Sequence, residues 1–283
     1  MKLVWAFFTL IRSFNLLIIA FTQYMIKFFL IDSKQLSIEQ SLFNIELFLV
    51  SFSTICIAAA GYIINDYYDI KIDTINKPHK VIIGVYISRR GAILWNFALN
   101  VIGLGIAYWL SKQLFLVHLG AGVLLWFYSN YLKRTALLGN VVIGFLTAVS
   151  VLVMAVQYPQ NQELVGVFAL FAFFITIVRE IIKDIEDVKG DATFGCRTLP
   201  IIWGIRRAKR VIYVFFVIFS IILLSTYFSF HQRFVFYLYF VLLPLWGYFF
   251  VRLVRADTKK EFAFLSAFCK WIMILGVLSM FFL

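Results

Sequence analysis

Ile63-Ile64-Asn65-Asp66-Tyr67-Tyr68-Asp69-Ile70-Lys71-Ile72-Asp73 closes an apolar run that begins near residue 47, and its reading decides the fold. On a helix, Asp66, Asp69 and Asp73 stand at i, i+3 and i+7, which is one face. A second run, Asp184-Ile185-Glu186-Asp187-Val188-Lys189-Gly190-Asp191, repeats that spacing with Asp184, Asp187 and Asp191, and Glu180 lies one turn before it. With Glu180, the two runs account for eight of the chain's 14 acidic residues, so the acids are concentrated rather than spread over a wet surface. Three like charges on one face at the mouth of a bilayer repel and are poorly solvated. A positive partner is expected there. Mg²⁺ carrying a polyphosphate fits, because it takes a carboxylate or two plus waters and substrate phosphates.

The rest of the chain is apolar. Hydrophobic residues make up 63% and charged residues 14%, against about 25% charged in soluble domains, and the mean hydropathy is +0.93. At about 20 apolar residues per span, the sequence divides into nine candidate spans, near 4–30, 47–64, 91–110, 114–131, 138–156, 164–182, 211–230, 234–254 and 262–283. Unbroken runs of this length argue helices, since a barrel strand alternates over about 10 residues. The first span has no small-residue cleavage site and carries Arg12 inside it, so it is expected to remain as a helix. With no low-complexity tract or long linker, residues 1–283 are expected to form a single membrane domain.

The net charge of +12 suggests nucleic acid at first sight, but its distribution excludes that partner. With the N-terminus in the cytoplasm, 21 of the 26 Lys and Arg residues fall on the cytoplasmic side. That is the positive-inside pattern. Both carboxylate runs share that side, which places the active site at the cytoplasmic face of a multi-pass protein in the cell membrane. Cys56, Cys196 and Cys269 are far apart, so neither a disulfide framework nor a zinc site is expected. Of the scattered histidines, only His79 lies beside an acidic run.

The two runs occupy corresponding places. Each ends a long apolar segment and precedes a basic loop, and each is followed by a second short basic stretch, Lys133-Arg134 and Arg252 to Arg255. The chain therefore reads as two pseudo-repeated halves of an all-α polytopic protein, about nine transmembrane helices around a central cavity.

Asn65-Asp66-x-x-Asp69-x-x-x-Asp73 resembles the NDxxDxxxD motif of the UbiA superfamily of intramembrane prenyltransferases, and Asp187-x-x-x-Asp191 resembles its second, DxxxD, motif. Arg12-Ser13-Phe14-Asn15 is similar to the family's first-helix Arg-Pro-x-Asn, and Tyr128 to Arg134 to its aromatic-basic stretch. Gly195-Cys196-Arg197-Thr198-Leu199-Pro200 is similar to the segment after its second motif. Within the superfamily, Tyr131 to Asn140 and Arg179 to Asp191 look most like the geranylgeranylglycerol-phosphate geranylgeranyltransferases. The chain departs from the Asn-Arg-Pro-x-Arg-Pro pattern of relatives at Asn76-Lys77-Pro78-His79-Lys80-Val81, where lysines replace both arginines.

The resemblance implies Mg²⁺-dependent transfer of a prenyl group, such as geranylgeranyl, from its diphosphate to a lipophilic acceptor, a prenylglycerol phosphate in ether-lipid synthesis. It implies Asp66, Asp69, Asp187 and Asp191 as catalytic metal-side residues, with Asp73 named by the first motif and Asn65 as an amide partner of Asp69. Asp184 is supported only by spacing, for the metal and substrate or for a salt bridge to a nearby Lys or Arg. Departing pyrophosphate is stabilised by the metal and by cationic side chains. Lys77, Lys80, Lys133, Arg134 and Arg197 are candidates for that role or for an acceptor phosphate. Each is equally readable as a topology signal. Arg12 and Asn15 are candidates for the polar floor of the cavity, because a charge inside an apolar span is a functional hypothesis by default. Tyr62, Tyr67, Tyr68, Tyr128 and Tyr131 offer aromatic faces to a carbocation or serve as interfacial tyrosines.

Two other readings stay open. An aromatic acceptor, as in quinone or haem O synthesis, is the alternative within the enzyme class. A cation-coupled transporter is the alternative from another class, although its site is expected at the bilayer midplane rather than at one face beside basic loops.

Overall fold

A computed structural model describes residues 2–32, 38–225 and 232–283, the side chains of Ile38 and Lys80 excepted. Among the described residues there is no strand, only an isolated bridge between Ile83 and Ile87. The helices in chain order are α1 (Lys2–Leu10), α2 (Ser13–Ile26), α3 (Ile38–Leu42), α4 (Ile45–Asn76), α5 (Arg89–Leu110), α6 (Lys112–Asn130) and α7 (Leu138–Gln157). They continue with α8 (Gln162–Thr193), α9 (Leu199–Trp203), α10 (Ile205–Ser225), α11 (Gln232–Tyr237), α12 (Leu243–Arg255) and α13 (Lys259–Leu278).

Eight helices of the described residues are long and apolar enough to cross a membrane. The expected span at 114–131 is α6, which has the length at 19 residues but is diluted by Lys112, Gln113, His118 and its polar end. Residues 226–230 of the span expected at 211–230 lie outside the described residues, as does His231.

The first span is not one helix. It breaks between α1 and α2 at Arg12, whose φ of 53° and ψ of 55° place it in the left-handed region, which residues other than glycine seldom adopt. Arg12 therefore sits at a joint, and hydropathy alone gives no sign of it. Past α2 the helix runs on as a π-turn over Lys27–Ile31.

The two motif helices are longer than their apolar cores. α4 and α8 have 32 residues each, which at about 1.5 Å per residue is ~48 Å against a hydrocarbon core of about 30 Å. Their acidic C-terminal turns thus continue the spans instead of forming loops. α4 starts on Asn44, whose side-chain oxygen accepts from the backbone N–H groups of Glu46 and Leu47 at 2.8 and 3.2 Å, an N-cap. It stops at Asn76 because Pro78 bars the helical conformation to the residue before it, and Lys77 turns out at φ −147°. α8 stops before Gly195, which takes a φ of +70° as a helix terminator.

The larger core packs α7, α8, α10, α12 and α13 through residues such as Val151, Ile177, Ile181, Phe249 and Leu265. The smaller one joins α1, α2, α4, α5 and the loop between α4 and α5 through Leu10, Leu16, Ile63, Ile82 and Ala92. Small residues set the closest helix approaches, as expected in lipid. A Cβ at Gly144 would lie 2.7 Å from the Ile177 side chain and 3.1 Å from the Phe173 carbonyl. Gly144→Leu is therefore expected to force α7 away from α8 and to cost about 1–3 kcal/mol of overpacking. A thermal melt of the detergent-solubilised protein, read beside Gly166→Leu, where no atom lies within 4 Å of the added Cβ, checks this.

Candidate active site

The acidic ends of α4 and α8 open on one cavity of about 610 Å³. Asp66, Asp69, Asp73, Asp184, Asp187 and Asp191 all line it, with Arg12, Asn15, Asn65, Lys77, Tyr128 and Lys133. The structure thus brings together twelve of the residues singled out from the sequence. Arg134 and Arg197 are exposed and outside the lining. Their backbones meet instead, Arg197 N–H donating to the Arg134 carbonyl at 2.8 Å, which ties the loop after α6 to the loop after α8. The side chain of Lys80 lies outside the described residues, and His79 is exposed.

Three of the motif carboxylates meet a cation supplied by another element. The Arg12 guanidinium donates to Asp66 at 2.7 Å, Lys133 to Asp69 at 2.6 Å and Lys77 to Asp187 at 2.6 Å, with Glu186 at 3.7 Å from the same ammonium. Asn65 donates to Asp69 at 3.1 Å, as its i, i+4 placement suggests, and its own oxygens accept from Lys133 at 3.2 and 3.3 Å. Among the described residues Asp184 meets no cation; it accepts from the Asn140 amide at 2.8 Å. Burial pulls the Lys133 ammonium below the usual lysine range, with Asp69 opposing. Burial acts the same way on Lys77, but Asp187, Glu186 and Asp73 together outweigh it and hold that pKa above the usual value.

The donor set suits Mg²⁺. The carboxylates are hard oxygen ligands from two helices on one cavity, and Asp187 Oδ1 is buried without a hydrogen-bond partner among the described residues. No three such groups among the described residues converge to wrap a bare ion. That is consistent with an ion that keeps waters and takes its remaining ligands from a phosphate.

Behind the acidic mouth lies a second cavity of about 220 Å³. The two share Arg12, Asn15, Asn65, Tyr128, Arg179, Glu180, Lys183 and Lys270, so they communicate through a polar ring. Beyond the ring the lining is apolar, with Ile18, Ile57, Val117, Leu125, Leu146 and Val153. A third, almost wholly apolar space of about 100 Å³ continues from it past Ile18, Ile19, Thr147 and Met273 toward Phe171 and Phe219. Tyr62 and Tyr128 face the inner cavity, and the Arg12 guanidinium stacks 4.9 Å from the Tyr62 ring. Tyr67 and Tyr68 pack edge to face against each other at 5.5 Å, and Tyr131 is exposed. None of those three lines either cavity.

Residues outside the motif logic hold this arrangement. The buried Asn76 side chain donates to the Asp187 carbonyl at 3.0 Å and accepts from Gly190 N–H at 2.9 Å. Its own carbonyl accepts from Lys259 of α13 at 3.0 Å. Gly190 is required by this contact, since a Cβ there would lie 2.5 Å from the Asn76 amide carbon. In the sequence Asn76 stands three residues after Asp73 and opens the Asn76-Lys77-Pro78 stretch, with nothing to show that it reaches α8. Lys270, Arg179 and Lys183 were likewise visible only as charges on or beside apolar spans.

A model of the UbiA prenyltransferase family matches residues 36–275, most of the chain. The chain belongs to this family. It is 37% identical over 155 residues to the digeranylgeranylglyceryl phosphate synthase of Thermococcus sibiricus, covering 55% of each chain. It is 35% identical over 168 residues to the enzyme of that name from Saccharolobus solfataricus, covering 59% of this chain and 60% of that one. The match spans little more than half the length of these curated relatives. A solved digeranylgeranylglyceryl phosphate synthase superposes with a TM-score of 0.75 at 24% identity, over 99% of this chain and 98% of that one. A UbiA homologue from Archaeoglobus fulgidus bound to GPP and Mg²⁺ superposes with 0.66 at 16%, over 97% and 99%. These likenesses establish the fold, and with the apolar helices they make this a multi-pass membrane protein.

Removing the Asn76 side chain forfeits the two hydrogen bonds that tie the end of α4 to the backbone of α8, at about 0.5–1.5 kcal/mol each. Asn76→Ala and Gly190→Ala are each expected to lower the melting temperature and to reduce activity. Parallel melts and turnover assays in detergent check both.

Proposed function

We propose that the protein transfers a prenyl group from a prenyl diphosphate to the hydroxyl of a prenylglycerol phosphate lipid, forming an ether and releasing pyrophosphate. The observation that carries this is the continuity of an acidic mouth, a polar ring and an apolar interior in one passage. A diphosphate belongs at the first, its reacting carbon at the second and its isoprenoid tail in the third. The names of the relatives from Thermococcus and Saccharolobus support the acceptor class.

In this reading Asp66, Asp69, Asp187 and Asp191, with Asp73, hold Mg²⁺, which when bound neutralises the diphosphate and the charge that develops on it as it leaves. Lys77 and Lys133 already sit against Asp187 and Asp69, so they stand where they also meet the departing anion. Arg12 and Asn15 orient the polar floor: Asn15 donates to the Tyr62 hydroxyl at 3.3 Å and accepts from Lys270 at 2.9 Å. Tyr62 and Tyr128 present ring faces where the allylic cation forms. The apolar walls below exclude water from it.

The basic segments around residues 77, 133, 197 and 259 meet at the acidic end of the bundle. By the positive-inside rule that end is cytoplasmic, and the chain acts as one domain. A cysteine introduced beside Lys77 and another beside Gln160 are expected to label from opposite sides of sealed vesicles; labelling from one side refutes this orientation.

The reaction itself is tested by incubating membranes containing the protein with geranylgeranyl diphosphate and a panel of acceptors, with products read by mass spectrometry. A diether phosphate is the expected product, and exclusive prenylation of a phenol moves the assignment to aromatic acceptors. EDTA is expected to abolish turnover. Asp69→Ala and Asp187→Ala are each expected to reduce it by at least a hundredfold while the protein remains folded by its melt; near-normal rates exclude the residue from the metal site.

A further inference from the structure

Among the described residues, the apolar end of the passage meets a wall of rings. The inner cavity and the third space share Ile18, Ile19, Thr147, Ser150 and Met273, so a chain that enters through the polar ring runs on from one into the other. Another part of the inner cavity is polar: the Thr54 hydroxyl and a His118 ring nitrogen lie 3.3 Å apart there. An apolar chain gains little against those groups and more against the apolar lining of the third space. Away from the shared residues, that space meets Phe168 of α8, Phe219 of α10 and Trp246 of α12, all buried. Trp246 is held in place. Its indole N–H donates to Ser220 Oγ at 3.1 Å, and its ring lies nearly parallel to those of Phe216 and Phe249 at 4.5 and 5.1 Å. The Phe219 ring meets it edge-on at 5.0 Å. A ring fixed by close-packed neighbours and by its own N–H keeps one orientation.

We infer that Phe219 and Trp246 form the end wall of the prenyl-tail site and limit the donor to four isoprene units. This deepens the proposed function and rests on it only for the prenyl diphosphate donor. α8 gives the scale, since it lines the passage at both ends. Its ring residues Arg179 and Lys183 stand eleven and fifteen residues after Phe168, about 16 and 23 Å along the axis at about 1.5 Å per residue. In an extended chain three bonds cover about 3.6 Å, so the four bonds of an isoprene unit cover about 5 Å and four units about 19 Å. A tail whose reacting carbon lies at the ring therefore reaches the wall with four units. A fifth unit needs room that fixed, buried rings yield only at the cost of overpacking. Three units stop short of the rings and forfeit the contacts that would fill the space before them. Gly276 of α13 lines the same space, and a Cβ there would meet no atom within 4 Å. A side chain at this position thus occupies room that the tail uses.

The test is a donor series on the full chain in membranes, with whichever acceptor the panel above shows to be used. Diphosphates of two, three, four and five isoprene units are compared by kcat/KM, with products read by mass spectrometry. The wild type is expected to peak at four units and to fall at least tenfold at five. Phe219→Ala and Trp246→Ala are each expected to bring the five-unit donor within threefold of the four-unit one. Gly276→Leu is expected to move the optimum to three units. A melt identifies any variant that does not fold; Phe219→Leu, a milder truncation, and Gly276→Leu, which removes nothing, then decide. A wild type that takes five units as readily as four shows that the tail leaves the bundle before the wall and overturns the inference. Folded variants that slow every donor in equal proportion reduce the rings to packing and also overturn it. Absence of transfer from every donor to every acceptor overturns the proposed function itself, whereas transfer without a length optimum overturns only the wall.

Discussion

Charge compensation at the membrane edge is the constraint on which the architecture depends. Six aspartates from two helices open on one cavity, where neither water nor distance relieves their repulsion in full. The fold meets this by bringing a cation to Asp66, Asp69 and Asp187 from three separate elements: the α1–α2 joint, the turn after α6 and the turn after α4. Each pairing joins segments far apart in sequence, so the ion pairs that neutralise the site also determine how the elements close around it. The left-handed Arg12 belongs to the same solution. A straight first helix would not interrupt itself there, and the joint lets the guanidinium reach Asp66 and the Tyr62 ring together.

Neutral contacts complete what the charges begin. Asn76 lies at the very end of α4 and bonds across to the backbone of α8 within its second acidic motif. The separation of the two carboxylate faces is therefore set by one amide against one glycine rather than by flexible side chains. α13 adds to the same junction through Lys259 and to the inner ring through Lys270. It thus contacts the site at two depths, although it carries no motif.

Much of this was legible in the sequence. Apolar runs and the repeated i, i+3, i+7 acids specify long helices with one charged face, and the i, i+4 amide bond from Asn65 to Asp69 follows from that geometry alone. What escaped has physical causes. Helix breaks driven by a single backbone torsion leave no mark on hydropathy, so the span at Arg12 reads as continuous. Long-range pairings such as Asn140 with Asp184 depend on the packing of α7 on α8 and carry no local pattern. Basic residues at the same end of the bundle look alike in sequence, yet Lys133 enters the cavity while its neighbour Arg134 faces out. A short 3₁₀ turn over Leu132–Arg134 is what separates the two.

That the residue after α4 is a lysine, Lys77, acquires a sense in this arrangement. A guanidinium binds a carboxylate through two parallel hydrogen bonds in a rigid fork, whereas an ammonium is a point charge on a flexible stem. Lys77 bonds a single oxygen of Asp187 and leaves the other, Oδ1, without a hydrogen-bond partner among the described residues. Asp69 is likewise shared between Lys133 on Oδ1 and Asn65 on Oδ2. Such one-oxygen contacts neutralise a carboxylate without saturating it. Under the proposed function, that is the state a metal-binding carboxylate needs before its metal arrives: compensated enough to let the helices close, and open enough to exchange a lysine for an ion. Among the described residues Arg12 alone brings a guanidinium to the motif acids, and it too holds a single oxygen, on Asp66. The electrostatics that stabilise the fold at rest are thus the same contacts that binding must rearrange.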